Sequence, residues 1–383
     1  MNDRCEIPRA RIVAGLTESD SVGDEALAAI RSHRDGWSLI DRILEPGGLA
    51  PRTVPGAVRR MIGPLADPPA WVDLGVVDSG AVAWWRFGTL QALTLYQSLL
   101  FGYQAPGLVA PLALTGRLGD QTARRLIETG QWIKTATVPG ALHPHAEGWR
   151  ETIRLRLLHA AVRGHLQTLP EWDTEQLGVP ISQSYGSATA FAGFLVIPIH
   201  VAKDLGVRFS ARDLQSLTEQ WRWIAALMGV PEDLMPSSFR QAELLMAEMV
   251  DVGRTQLGLD TDDAGRALTA SLLNESFRFD RVLPAPLDRM AAPFVRRGVR
   301  AVLGGVSTRW MEPDIAAGLG LRPSPFRYLV EAVRPLITAR EILRTTGLFG
   351  TDAAIAERER AILNRALGPI SATPPVRADA VPG

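Results

Sequence analysis

The sequence predicts an all-α protein, on three observations. Apolar residues recur at helical spacing along most of the chain, strand-like alternation is rare, and helix-length segments are punctuated by Pro/Gly pairs. A chain of 383 residues with 46% hydrophobic and 21% charged residues has an ordinary globular composition, which excludes a disordered chain. No internal repeat and no Gly/Ser linker divides it.

Residues 1–66 read as short helices joined by Gly/Pro loops at Pro46-Gly47-Gly48, Pro51 and Pro55-Gly56. A long helical region opens after Asp67-Pro68-Pro69. Within it, Leu90, Leu93, Tyr96 or Leu95, and Leu99 mark one helix over 84–100. The next runs over 121–137 and is stopped by Val138-Pro139-Gly140; His143 to Gly148 is a loop, and a helix resumes over 149–166. The longest nearly apolar run, 188–201, has fourteen residues and a proline. That is short of the roughly 20 residues a membrane-spanning helix needs, so it reads as a buried core helix, with shallow membrane contact as the lesser reading. Helices follow over 213–228, with Trp221 and Trp223, then over 236–255 and 264–279, and arginine-rich helices continue to Leu367. The Pro/Ala-rich tail from Gly368 is expected to fray. The expected organisation is an N-terminal helical extension (1–66), a catalytic domain (67–300), a C-terminal helical extension packed on the core (301–367) and a flexible tail (368–383).

Lys+Arg and Asp+Glu number 41 each, so no global positive field exists to gather nucleic acid. Lys134 and Lys203 are the only lysines. A single cysteine, Cys5, excludes an intrachain disulfide and Cys-rich zinc or iron–sulfur sites. The first thirty residues lack an apolar export core, and the expectation is a cytoplasmic protein. Walker-type Gly-Lys-Ser/Thr, His-Glu-x-x-His and Gly-x-Ser-x-Gly motifs are absent. No histidine follows a glutamate by three residues, which removes the paired Glu-x-x-His of di-iron bundles.

The residues that can carry chemistry concentrate in 123–166. Leu155, Leu158, Val162 and Leu166 form one apolar stripe, and His159 projects from it. Arg154, Arg156 and Arg163 flank it. A haem site needs such a set: imidazole ligates iron from an apolar wall and guanidinium groups neutralise the propionates. The same pattern suits a core histidine bonded to a neighbour, and spacing alone leaves both open. Lys134, followed by Thr135, has an apolar flank that would hold its amine partly out of water and lower its pKa. A neutral amine can ligate iron or accept a proton; a lysine snorkelling from a helix end is the alternative. His143, His145 and Glu147 have a metal-site spacing that suits a strand better than a loop. His165 and His200 read as structural and His33 as exposed. The ten tryptophans read as core anchors, with some lining an apolar pocket.

Several segments together resemble a known family. They are Pro69-Ala70-Trp71-Val72-Asp73, Ser98-Leu99-Leu100-Phe101-Gly102-Tyr103, Leu114-Thr115-Gly116-Arg117-Leu118 and Arg124-Arg125-Leu126-Ile127-Glu128-Thr129. Arg156-Leu157-Leu158-His159-Ala160-Ala161-Val162-Arg163, Gly178-Val179-Pro180-Ile181-Ser182-Gln183 and Trp221-Arg222-Trp223-Ile224 continue the series. Their order over about 68–236 is similar to the latex-clearing protein (rubber oxygenase) family, which also includes a fungal endoplasmic-reticulum oxygenase of mycophenolic acid biosynthesis. The resemblance implies a globin-like helical core holding one haem b, with His159 as axial ligand and Lys134-Thr135 on the distal side, Lys134 able to close the sixth position. It implies cleavage of an isoprenoid carbon–carbon double bond to two carbonyls with dioxygen. The partners it implies are dioxygen and a hydrophobic small molecule, with peripheral membrane contact open. Two positions depart from the pattern: Gln131 stands where rubber cleavers carry arginine, and Glu128 is the one acid near the place of their catalytic glutamate. The expectation is a haem oxygenase acting on an isoprenoid-like or other small metabolite. The alternatives are a haem-dependent hydroxylase or dehydrogenase and a non-catalytic binder of an apolar metabolite.

Overall fold

The computed structural model describes residues 4–48, 54–88, 90–114, 120–256, 263–275, 297–298 and 300–367. Among these residues every regular element is helical, as the periodicity predicts. Helices α1 (Arg9–Ala14), α2 (Ser21–Ser32), α3 (Trp37–Leu44) and α4 (Gly56–Ala66) come first. There follow α5 (Leu74–Trp85), α6 (Leu90–Gly102), α7 (Pro106–Leu114), α8 (Asp120–Ala136), α9 (Glu147–Leu166) and α10 (Thr174–Leu177). Next, α11 (Gln183–Ala188) runs through a π-helical segment (Thr189–Val196) into α12 (Ile197–Asp204). The chain continues through α13 (Ala211–Leu227), α14 (Phe239–Gln256), α15 (Asp263–Glu275), α16 (300–307), α17 (Pro313–Gly318), α18 (Leu329–Thr345) and α19 (Asp352–Leu367). The frayed tail expected from Gly368 and the helix end expected at Phe279 lie outside the described residues.

The core forms where α5 crosses α13. Gly80 lies against the Ser216 carbonyl, where an added Cβ would sit 2.3 Å from the oxygen, so the two backbones approach closely. Trp84 and Trp221, both fully buried, then meet edge to face at 6.0 Å. A capping box between Ser210 and Asp213 starts α13, and Asp73 caps α5. One apolar cluster runs from Ile7 to Ala356, so the terminal helices share this core.

The single helix expected over 84–100 is two. Arg86, 2% exposed, keeps helical backbone angles, pairs with Asp213 (3.0 Å) and Asp352 (2.8 Å) and donates to the Arg208 carbonyl. Gly88 follows with φ +58, and a Cβ there would strike the Glu359 carboxylate at 2.0 Å. The expected core helix over 188–201 is interior. The continuous helix Gln183–Asp204 is long and apolar enough to cross a membrane, but 67% of its apolar window is buried inside the protein. His200, expected to be structural, pairs with Glu243 at 2.7 Å from an exposed position.

Candidate cofactor and substrate site

Helices α8 and α9 are held close at their joined ends. Gly148 lies against the backbones of Thr135 and Ala136, where an added Cβ would approach to 2.9 Å. The Trp132 indole donates to Thr152 Oγ1 at 3.1 Å and ties the two helices further along. Helix α9 is apolar on two sides. Ile153, Leu157, Ala160 and Ala161 are buried in the core. Leu155, Leu158, His159 and Val162 turn instead to a cavity of ≈800 Å³. That volume lies within the roughly 300–1,000 Å³ of small-molecule and cofactor sites. Leu166 departs from the expected stripe and packs with Trp172 and Leu177 in a separate cluster.

Helix α8 contributes Glu128, Gln131, Trp132 and Thr135 to the same cavity. Thr135 donates to the Gln131 carbonyl at 3.0 Å. Lys134 is buried beside them but is not part of the wall. Burial pushes its amine pKa below the ordinary 10.5. Protonated Lys134 therefore costs stability below the lowered value, and the cost fades as pH rises towards 10.5. Lys134→Met is expected to raise the unfolding midpoint at pH 7 and to flatten the rise of stability with pH across that alkaline window. Equal slopes for the two proteins would show an amine solvated in the folded state.

The third wall is the π-helical segment, through Thr189, Ala192, Gly193 and Phe194. Wide helical turns of this kind are frequent at functional sites. Phe194 stacks on Trp221 (5.2 Å, 12°) and meets Trp132 edge to face at 5.9 Å. Aromatic rings thus back this side of the lining, with the flexible thioethers of Met246 and Met249 also on the wall.

The three flanking arginines have other partners than those expected. Arg156 is not in the cavity wall; it is buried and holds Asp20 through two bonds, 2.6 and 2.7 Å. Arg163 and Arg154 do line the cavity, yet each guanidinium nitrogen has a partner: Arg163 bonds Asp24 and the Ile181 carbonyl, Arg154 bonds Asp41 and Glu151. In this arrangement they clamp α2 and α3 onto α9, a use that bidentate guanidinium geometry favours. The His143–Glu147 loop is likewise structural. His143 lies 3.0 Å from Asp78, His145 lies 2.9 Å from the Leu44 carbonyl, and Glu147 is exposed at the cavity edge. No group of three or more His, Cys, Asp or Glu among the described residues is placed to hold a bare metal ion.

Other cavity residues carry no motif. Leu16 and Asp20 bring the N-terminal region to the wall, and Glu151 adds a carboxylate from α9. Tyr185 lines it too; its hydroxyl is buried, has no hydrogen-bond partner among the described residues, and burial pushes its pKa up to about 12. A buried unpaired hydroxyl costs about 1–3 kcal/mol. Tyr185→Phe is therefore expected to leave stability unchanged or to raise it by about 1 kcal/mol in urea unfolding. A loss of that size would reveal a partner for the hydroxyl.

A haem fits this donor set in two respects: the imidazole stands on an apolar helical wall, and the cavity has the volume of a cofactor site. The arginines do not add to that fit, because their donors are engaged by α2 and α3 acids and by Glu151.

Fold and cavity define, among the described residues, an all-helical protein with a large, mainly apolar cavity. Residues 81–339 match the family described as ER-bound oxygenase mpaB/B'/Rubber oxygenase, catalytic domain, and the chain belongs to that family of oxygenases. A rubber oxygenase of Streptomyces sp. (strain K30) is 24% identical over 312 residues, 79% of this chain and 69% of the relative. The solved structure of latex clearing protein LCP in the closed state shares the fold, with a TM-score of 0.67, 21% identity and 91% of each chain covered.

Proposed function

We propose that this oxygenase is haem-dependent and uses dioxygen to cleave a carbon–carbon double bond of an apolar, isoprenoid-like small molecule. The observation that carries the proposal is His159 on the apolar wall of the ≈800 Å³ cavity, inside the family-matched span. The Streptomyces relative is a rubber oxygenase by name, which supports an unsaturated hydrocarbon as substrate class. Haem b, when bound, supplies the redox chemistry that oxygen activation requires. His159 would hold it through a ring nitrogen, with Leu155, Leu158 and Val162 packed against the macrocycle. Trp132, Phe194 and Trp221 would orient the alkene and keep water out. The Thr135 hydroxyl and Gln131 amide give the wall its hydrogen-bonding points, and the Glu128 and Glu151 carboxylates can hold or take a proton. Lys134, one residue beyond the wall, would reach the iron only after its side chain turns inward.

Hemin titration tests the cofactor: a Soret band that shifts with dithionite and carbon monoxide is expected. Incubation with terpenoids under labelled dioxygen is then expected to give two labelled carbonyl fragments. One labelled oxygen on an uncleaved product would make the reaction a hydroxylation. Protein that takes up no hemin sinks the proposal.

A further inference from the structure

Helix α18 docks its inner face through Val330 and Ile337, buried in the core, and through charge: Arg334 bonds Asp204 and Glu331, Arg340 bonds Glu341 and Glu359, and Arg344 bonds Glu341 and Asp352. Glu341 is fully buried in this set. Its outer face is apolar: Leu329, Val333, Leu336 and Leu343 fall on one helical stripe, and Leu336 is 72% exposed. Phe326 and Tyr328 extend the patch before the helix, and Leu348 and Phe349 after it. Nine of the eleven large apolar side chains exposed among the described residues lie within 326–349, so the patch is a concentrated feature and not scatter.

Charge selects what covers it. Residues 322–349 hold five arginines and two glutamates in a chain of zero net charge. Of those glutamates, Glu341 is buried and Glu331 is engaged by Arg309 and Arg334. Arg322 and Arg327 have no carboxylate partner among the described residues, and Arg327 lies 5.9 Å from the Tyr328 ring centre. A second copy of this face would bring no free acid to meet those arginines. A headgroup layer would: apolar stripe, aromatic ends and unpaired arginines are what an in-plane interfacial helix presents to anionic lipid.

We propose that the 326–349 face docks on an anionic lipid surface, with its apolar side chains at the acyl boundary and Arg322 and Arg327 on lipid phosphates. The test is flotation of the full chain with vesicles of phosphatidylcholine alone and of phosphatidylcholine mixed with phosphatidylglycerol. Binding to the mixed vesicles is expected, weakening as salt rises. Leu336→Glu with Leu343→Glu is expected to lower the partition at least ten-fold, and Arg322→Glu with Arg327→Glu several-fold. Both pairs sit on the outer surface, so the circular dichroism spectrum and unfolding midpoint should hold; Leu336→Ser gives the same reading should the double variant misfold. No binding to either vesicle, equal binding to both, or binding untouched by the substitutions overturns the proposal. So does a concentration-dependent dimer that Leu336→Glu dissolves, which would give the face to a second copy. None of these readings depends on haem.

Discussion

His159→Ala is expected to fold and to take up no haem. The imidazole stands on the cavity side of α9, while the helix is anchored through Ile153, Leu157, Ala160 and Ala161 on its other side. Losing the ring therefore opens no void in the packed core, and stability should move by no more than about 1 kcal/mol. Cofactor retention should collapse, because no other histidine lines this cavity among the described residues. The check is the ratio of Soret to protein absorbance after hemin loading, with an unfolding curve beside it. Added imidazole should restore the band in His159→Gly. Full haem content in the alanine variant would falsify the ligand assignment.

Arg156→Met is expected to cost about 3–5 kcal/mol, because it strands the Asp20 carboxylate in the interior. The side chains of this pair are only 7% and 9% exposed. Asp20 also accepts the Gly23 amide at 3.0 Å, so it caps α2 as well as receiving the guanidinium. Urea unfolding reads the loss. The double variant with Asp20→Asn should recover most of it, since the charge is then gone and the cap acceptor kept. A single variant within about 1 kcal/mol of the parent would show that the pair adds nothing net. Because Asp20 also lines the cavity, the same variant is expected to loosen the wall that the N-terminal region supplies.

The helical class was legible because the apolar period runs almost unbroken, and the ends of α8 and α9 because Pro139-Gly140 stops one and the next stripe starts the other. The split between α5 and α6 was not legible. It falls at Gly88, whose positive φ sits against Glu359 far along the chain, a contact no local window contains. His159 could be singled out from its leucine neighbours, and the structure sets it on a cavity wall. The arginines beside it could be read only as nearby positive charge. Their partners Asp20, Asp24 and Asp41 lie more than a hundred residues upstream. Lys134 was legible as a partly buried amine, but whether it or Thr135 faces the cavity is a matter of helix rotation finer than the apolar pattern resolves. Tyr185 and Glu151 carried no signal beyond residue type, and the burial of a tyrosine hydroxyl is a property of packing alone.

The widened turns at Thr189–Val196 carry one consequence for how such a site can be retuned. A π turn holds one more residue than the α turn on either side. Deleting a single amino acid there would let the ordinary ladder close while the helices on either side keep their facing. Ile197 would stay on the cavity, and the change would be confined to the stretch of wall that Ala192 and Gly193 now supply. A one-codon change in length, with no substitution at all, would thus recut the shape of the chamber.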